Sequence, residues 1–267
     1  MKLQNLIHIV IGIVCIGLLP GAKAVVPAPG GGYPGGNTAE GQSALLSLTT
    51  GQFNTAVGIF SLRSNTDGSF NTAVGAGTLS SSTSAARNTA IGAAALLSDT
   101  TGALNTAVGT LALFNNNVGG ENTAVGDSAL FSNTTGHFNT ANGQAALFSN
   151  TIGFENTAVG SAALLNNIDG DFNTAVGDNA LRVNTSGNAN TAIGSNALDS
   201  NIDGNDNTAT GNRTMFSNLT GFGNTAYGVR ALSVNTEGIH NTAIGGNSLA
   251  QNTTGGRFQK LLSVSKP

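Results

Sequence analysis

Thirteen consecutive copies of a 17-residue unit, each opening Asn-Thr-Ala with a Gly two residues later, fill residues 37–257 of this 267-residue chain. Copies begin at Asn37, Asn54, Asn71 and so on to Asn241, and none is out of phase. A period kept without insertion is the mark of stacked coils, because one extra residue would break the register between neighbours. It also bears on function: almost any side chain proposed for chemistry recurs thirteen times. That suits a surface or a scaffold better than a single active site.

Numbering the unit 1 to 17 from its Asn, positions 1, 2, 3 and 5 are Asn, Thr, Ala and Gly in every copy. Position 4 is mostly Val or Ile, position 8 is always small, and position 9 is Leu except at Met215. Position 12 is mostly Asn, and position 15 is Gly except at Ala85. The alternation through Asn-Thr-Ala-Val-Gly predicts a short strand, with Thr and Val on one side and Asn, Ala and Gly on the other. A second short strand is expected around positions 8 and 9, facing opposite ways. Asn at 12 and Gly at 15 have the spacing of a type I turn. No stretch leaves room for an uninterrupted amphipathic helix. The expected fold is therefore all-β, a β-solenoid of stacked coils and a rod roughly 60 Å long.

This reading places Val/Ile and Leu inside, as columns, and Asn, Ala and Gly along an outer face. Leu147→Asp should then be far more damaging than Asn150→Asp on a turn. So few bulky side chains per coil make a lone rod marginal. The columns of small residues at positions 3 and 8 (Ala124, Ala129, Ala158, Ala163) are expected to let other copies approach closely.

Composition narrows the classes. The repeats hold six arginines, no lysine and thirteen carboxylates. Nucleic acid is an unsuitable partner, since phosphate binding rests on clustered Lys and Arg. Residues 1–24 read as a cleaved signal peptide: Lys2, an apolar run over residues 6–19, then Ala22-Lys23-Ala24, with the mature chain beginning at Val25. Cys15 is the sole cysteine and leaves with the signal, so no disulfide and no thiolate chemistry is expected. Residues 25–36 form a Pro/Gly linker not expected to join a sheet, and residues 258–267 a C-terminal tail. The repeats contain no proline, as ladders of backbone N–H groups require.

The run N-T-A-[VI]-G-x-x-A, clearest at residues 122–136 (NTAVGDSALFSNTTG) and 156–170 (NTAVGSAALLNNIDG), resembles the head repeats of trimeric autotransporter adhesins of the YadA-like type. The likeness covers the whole repeat block, although the family's unit is shorter. It implies a left-handed β-roll, three chains side by side in a homotrimer, and binding of an unknown extracellular or surface ligand. The chain closes on GRFQKLLSVSKP, with neither heptad stalk nor membrane-anchor strands. A protein secreted or held at the bacterial cell surface, without a membrane anchor of its own, is the resulting expectation.

No catalytic, cofactor-binding or metal site is expected. His137 and His240 read as solvated turn residues, and Asp169, Asp171, Asp178, Asp203 and Asp206 as turn carboxylates lacking a calcium-binding spacing. Phenylalanines at position 10 (Phe114, Phe131, Phe148, Phe216) and 17 (Phe53, Phe70, Phe138, Phe172) are expected to pack against neighbouring coils. A glycan-cleaving solenoid would need paired carboxylates at one level, and these are scattered. An ice-binding or structural-fibre rod is a further alternative, with an inward-facing Thr column counting against ice.

Overall fold

The structure is a computed structural model that describes residues 33–255 and the backbone of Lys260–Leu262. The expected signal, most of the linker and most of the tail lie outside the described residues. Each repeat contributes one three-residue strand over positions 2 to 4, from β1 (Thr38–Glu40) to β13 (Thr242–Ile244). These pair in parallel, in sequence order, and a last strand β14 (Lys260–Leu262) pairs with β13. Every Thr meets the Thr one coil away and every Ala the next Ala, as at Thr140↔Thr157 and Ala141↔Ala158. The β-solenoid is as expected, and no described residue lies in an α-helix. The end of the linker touches the stack without contributing a strand to the sheet: Tyr33 bridges Asn37 across the turn Pro34–Gly36, and the Phe53 N–H donates to Gly35 O at 2.9 Å.

The inside of the coil differs from the expected one. Ala at position 3 is fully buried in the middle coils, while Thr and Val flank it half-exposed. Alternation fixes which residues share a side, not which side is inside. The 17-residue coil is narrow: Ala from the strand and Ala plus Leu from positions 8 and 9 fill it, as in Ala158, Ala163 and Leu164, all 0 % exposed. A Val column facing inward would overfill that width. The small residues thus pack within the chain, and Ala124, Ala129, Ala158 and Ala163, all 0 % exposed, offer other copies no surface to approach, contrary to expectation.

Positions 8 and 9 are not a strand. Positions 7, 9 and 17 adopt left-handed backbone in coil after coil, for instance Ala145 (φ 54), Leu147 (φ 52) and Phe138 (φ 58). Two left-handed residues around position 8 turn a corner, which brings 8 and 9 both inward. None of the three positions carries Val, Ile or Thr in any copy, because branching at Cβ clashes most in that region. Inter-coil hydrogen bonds still run round the whole coil, with Leu147 N–H donating to Ala163 O at 3.0 Å and Ser149 N–H to Leu165 O at 2.9 Å. Leu147→Ile should therefore cost at least ~2 kcal/mol. Leu147→Met, which matches Met215 (φ 49) in its own coil, should cost under ~1.5 kcal/mol. Denaturant titration of the two variants checks this.

Asparagine forms two buried columns. At position 1, Asn139 Nδ2 donates to Gly153 O at 2.8 Å and to Asn122 Oδ1 at 3.2 Å. Its own Oδ1 accepts from Asn156 N–H at 3.1 Å. At position 12, Asn150 Nδ2 donates to Asn133 Oδ1 at 2.9 Å and to Gly153 O at 3.0 Å. Asn150 is 0 % exposed. The expected exposed turn asparagine is thus a core residue, and Asn150→Asp is no mild change.

One natural acid sits in that column. Asp99 takes position 12 of its coil at 0 % exposure and accepts from Asn116 Nδ2 at 2.9 Å. Burial pushes its carboxyl up to about 7, against the partial opposing effect of hydrogen bonds from Asn116 and the Gly102 N–H. Between the ordinary aspartate range and pH 7, the folded chain holds a proton that the unfolded chain has lost. Stability from this group is thus full at acid pH, falls as pH rises through that window, and stays low above it. Asp99→Asn should lack this slope. The stability gap between variant and parent, read from thermal unfolding, should widen from pH 4 to about 7 and then level off, for a total on the order of 4 kcal/mol. A gap constant with pH would contradict it.

Candidate functional site

The outer side of the strand sheet is the surface that the repeat builds most regularly. Because Ala turns inward at position 3, Thr at 2 and Val or Ile at 4 both project outward from every coil. Exact register lines them up as two parallel columns along the rod. Hydroxyls then recur every ~4.8 Å, with the apolar column roughly 7 Å away across the strand. The Val/Ile column is substantially uncovered: Ile91 is 42 % exposed and Ile193 43 %.

No position-2 hydroxyl among the described residues makes a hydrogen bond within the chain. The threonines of position 13 behave differently, since Thr134 Oγ1 donates to Thr151 O at 2.9 Å and Thr151 Oγ1 to Ile168 O at 3.0 Å. The sheet-face hydroxyls are thus available to whatever lies outside. Charge is nearly absent from the face: Glu40 is the sole ionisable carboxylate at position 4, and Asn142, Thr210 and Tyr227 are the other departures. Such a surface can bind by hydrogen bonds and apolar contact. It has no nucleophile beside a base.

The other candidate residues stay apart. His137 is exposed on its turn, where Nδ1 accepts from the Gly120 N–H at 2.9 Å. His240 stands edge-on to Phe222 at 5.1 Å between ring centres. Asp169, Asp178, Asp203 and Asp206 are exposed, and Asp171 Oδ1 accepts from the Phe154 N–H at 2.9 Å. Among the described residues no three His, Cys, Asp or Glu side chains gather where they could hold a metal ion. The one salt bridge found among these residues joins Arg182 Nε to Asp199 Oδ1 at 2.9 Å. A cavity of about 600 Å³ opens on the first coil, and its lining among the described residues, Tyr33, Leu45, Leu46 and Leu48 included, carries no charged side chain.

The phenylalanines divide by position. At position 10, Phe114, Phe131 and Phe148 stack nearly parallel, 5.2 and 4.9 Å apart, as packing against neighbouring coils implies. At position 17, Phe53 and Phe70 stack across neighbouring coils at 5.2 Å and Phe172 meets Phe154 of the coil before edge-on at 5.1 Å, yet Phe53, Phe70, Phe138 and Phe172 each stay more than half exposed. All four have left-handed backbone.

The unpartnered Thr column escaped the sequence argument, although position 2 carried a signal. A buried site beside Val would tolerate Val in some copies, yet Thr stands there in all thirteen.

Comparison with known protein families, with characterised proteins and with solved structures finds no match to this chain.

Proposed function

We propose that this chain is an exported rod, secreted or displayed at a bacterial surface, that acts as adhesins do: by binding along its length, without a catalytic step. The observation that carries the reading is the outward sheet face, with free threonine hydroxyls beside half-exposed Val and Ile in register through the stack. A ligand with many weak contact points gains from such an array, because each further contact is intramolecular once the first has formed. Thr157→Lys with Thr174→Lys should abolish retention on immobilised extracellular glycans or matrix proteins while the melting temperature stays within a few degrees. Retention equal to that of the parent would count against the face as the binding surface.

Self-association belongs to the same reading, on new grounds. The exposed Phe53, Phe70, Phe138 and Phe172, with Phe154 and Phe222 at position 16, form apolar patches along one edge, separated by Arg87, Glu121, Glu155 and Asp206, that a side-by-side homotrimer would cover. Phe138→Ser with Phe172→Ser should shift the solution mass from trimer to monomer in light scattering. A parent chain already monomeric at micromolar concentration would remove the trimer.

A second reading is favoured by one specific observation. The inward Thr column that counted against ice binding is in fact outward, regular and unpartnered. On that reading the face orders water rather than holding a polymer. Ice-crystal growth in the presence of the purified chain separates the two: shaped crystals and a lowered freezing point that Thr157→Lys abolishes would favour ice.

A further inference from the structure

The position-12 column is continuous from Asn252 down to Asn116, each Nδ2 donating to the Oδ1 one coil before, and it ends on Asp99 Oδ1. The next two coils carry Ser82 and Asn65. Asn65 Oδ1, Ser82 Oγ and Asp99 Oδ2, in three consecutive coils at one phase, are buried and have no partner in the protein. Leaving such a group unpaired costs ~1–3 kcal/mol. Native interiors usually meet that need with an ordered water that makes about three hydrogen bonds.

The coil of Ser82 departs from the repeat a second time, and the two departures are sterically coupled. A Cβ on the ordinary position-15 glycine would lie 2.4 Å from the Asn Oδ1 of its own coil at Gly119, and 2.5 Å at Gly153. Ala85 therefore excludes Asn at position 82, and its methyl takes the place of the carboxamide oxygen. The amide nitrogen has no such substitute among the protein atoms. In regular coils that nitrogen donates twice, to the previous Oδ1 and to the position-15 carbonyl, as Asn150 does to Asn133 Oδ1 and Gly153 O.

We propose that the place of this nitrogen is a built site for one ordered water, which donates to Asn65 Oδ1 and the Ala85 carbonyl and accepts from the Ser82 hydroxyl. Two donors and one acceptor in a dry, uncharged surround match water and no ion. The Ala85 carbonyl has capacity for it, since it accepts Asn71 Nδ2 at 2.8 Å as position-15 carbonyls elsewhere accept two amides. Neither neighbouring coil puts a charged side chain at this phase other than Asp99, and Asp67 and Arg87 are exposed on their turns. The Asp99 Oδ2, one coil on, stands where amide nitrogens donate to the position-15 carbonyl of their own coil.

A crystal structure of the whole chain at high resolution tests the site. One density peak about 2.8 Å from Asn65 Oδ1 and within hydrogen-bond reach of Ser82 Oγ is expected. Ser82→Asn with Ala85→Gly should replace that peak by Nδ2 and raise the melting temperature by roughly 2–4 °C. Ser82→Asn alone should fall below the parent, and a rise would overturn the steric pairing on which the site rests. Pressure unfolding gives a second readout: a hydrated site leaves parent and double variant equally sensitive, whereas a dry void makes the parent more sensitive. No density peak, or the greater pressure sensitivity, would overturn the proposal.

Discussion

Replacing Asn139 by alanine should lower stability by about 3–5 kcal/mol, although the residue carries no charge and sits beside an exposed strand. Its carboxamide is fully buried and joins three coils: Nδ2 to Gly153 O and Asn122 Oδ1, and Oδ1 to the backbone and side-chain amides of Asn156. Alanine leaves the Asn156 N–H without its acceptor and the Asn156 Nδ2 with Gly170 O alone, in a space too small for ready hydration. Thr140→Ala, at the next residue, removes a hydroxyl that has no partner in the chain and should change stability by less than ~0.5 kcal/mol. Urea titration of the two variants side by side checks the contrast. Equal losses would mean that the asparagine column is not part of the core.

Gly143→Ala should be at least as costly, on the order of 3 kcal/mol or more, for reasons of space and backbone together. Gly143 has φ 143, and a Cβ there would lie 2.4 Å from Gly160 O and 2.6 Å from its carbonyl carbon. The next coil cannot retreat, because the Gly143 N–H to Val125 O bond (2.8 Å) and the Gly160 N–H to Asn142 O bond (2.8 Å) hold the spacing on both sides. Gly246→Ala is the control. Its Cβ would meet no heavy atom closer than Val229 O at 3.9 Å, and the change should be within ~0.5 kcal/mol of neutral. Thermal unfolding of the two variants reads the difference.

The stacking of coils, the parallel register and the buried Leu column were legible in the sequence, because a period without insertions and a Leu at constant phase admit few alternatives. The in–out sense of the strand was not. Thr-Ala-Val gives a two-fold alternation whichever side is buried, and ordinary hydropathy prefers Val inside. Ala158 wins because Leu164 already fills the narrow interior opposite it. The left-handed residues left a readable trace in the exclusion of Val, Ile and Thr from positions 7, 9 and 17. Asn150 was misplaced because Asn-x-x-Gly is also ordinary turn chemistry. The better clue lay in the one coil where positions 12 and 15 change together, Ser82 with Ala85. The candidate surface followed from the same reversal, since a Thr column thought to face inward faces out.

Paired charge insertions on two sides of the coil test the proposed binding through the Thr/Val sheet face most directly. Thr157→Lys with Thr174→Lys changes the face. Thr135→Lys with Ser186→Lys changes exposed turn positions away from it. Adsorption of the parent chain and both variants to immobilised extracellular glycans, matrix proteins and growing ice would be measured at matched folding, verified by melting temperature. Loss of adsorption in the face variant with retention in the turn variant is the predicted result. Equal adsorption by both variants, or loss confined to the turn variant, would contradict it.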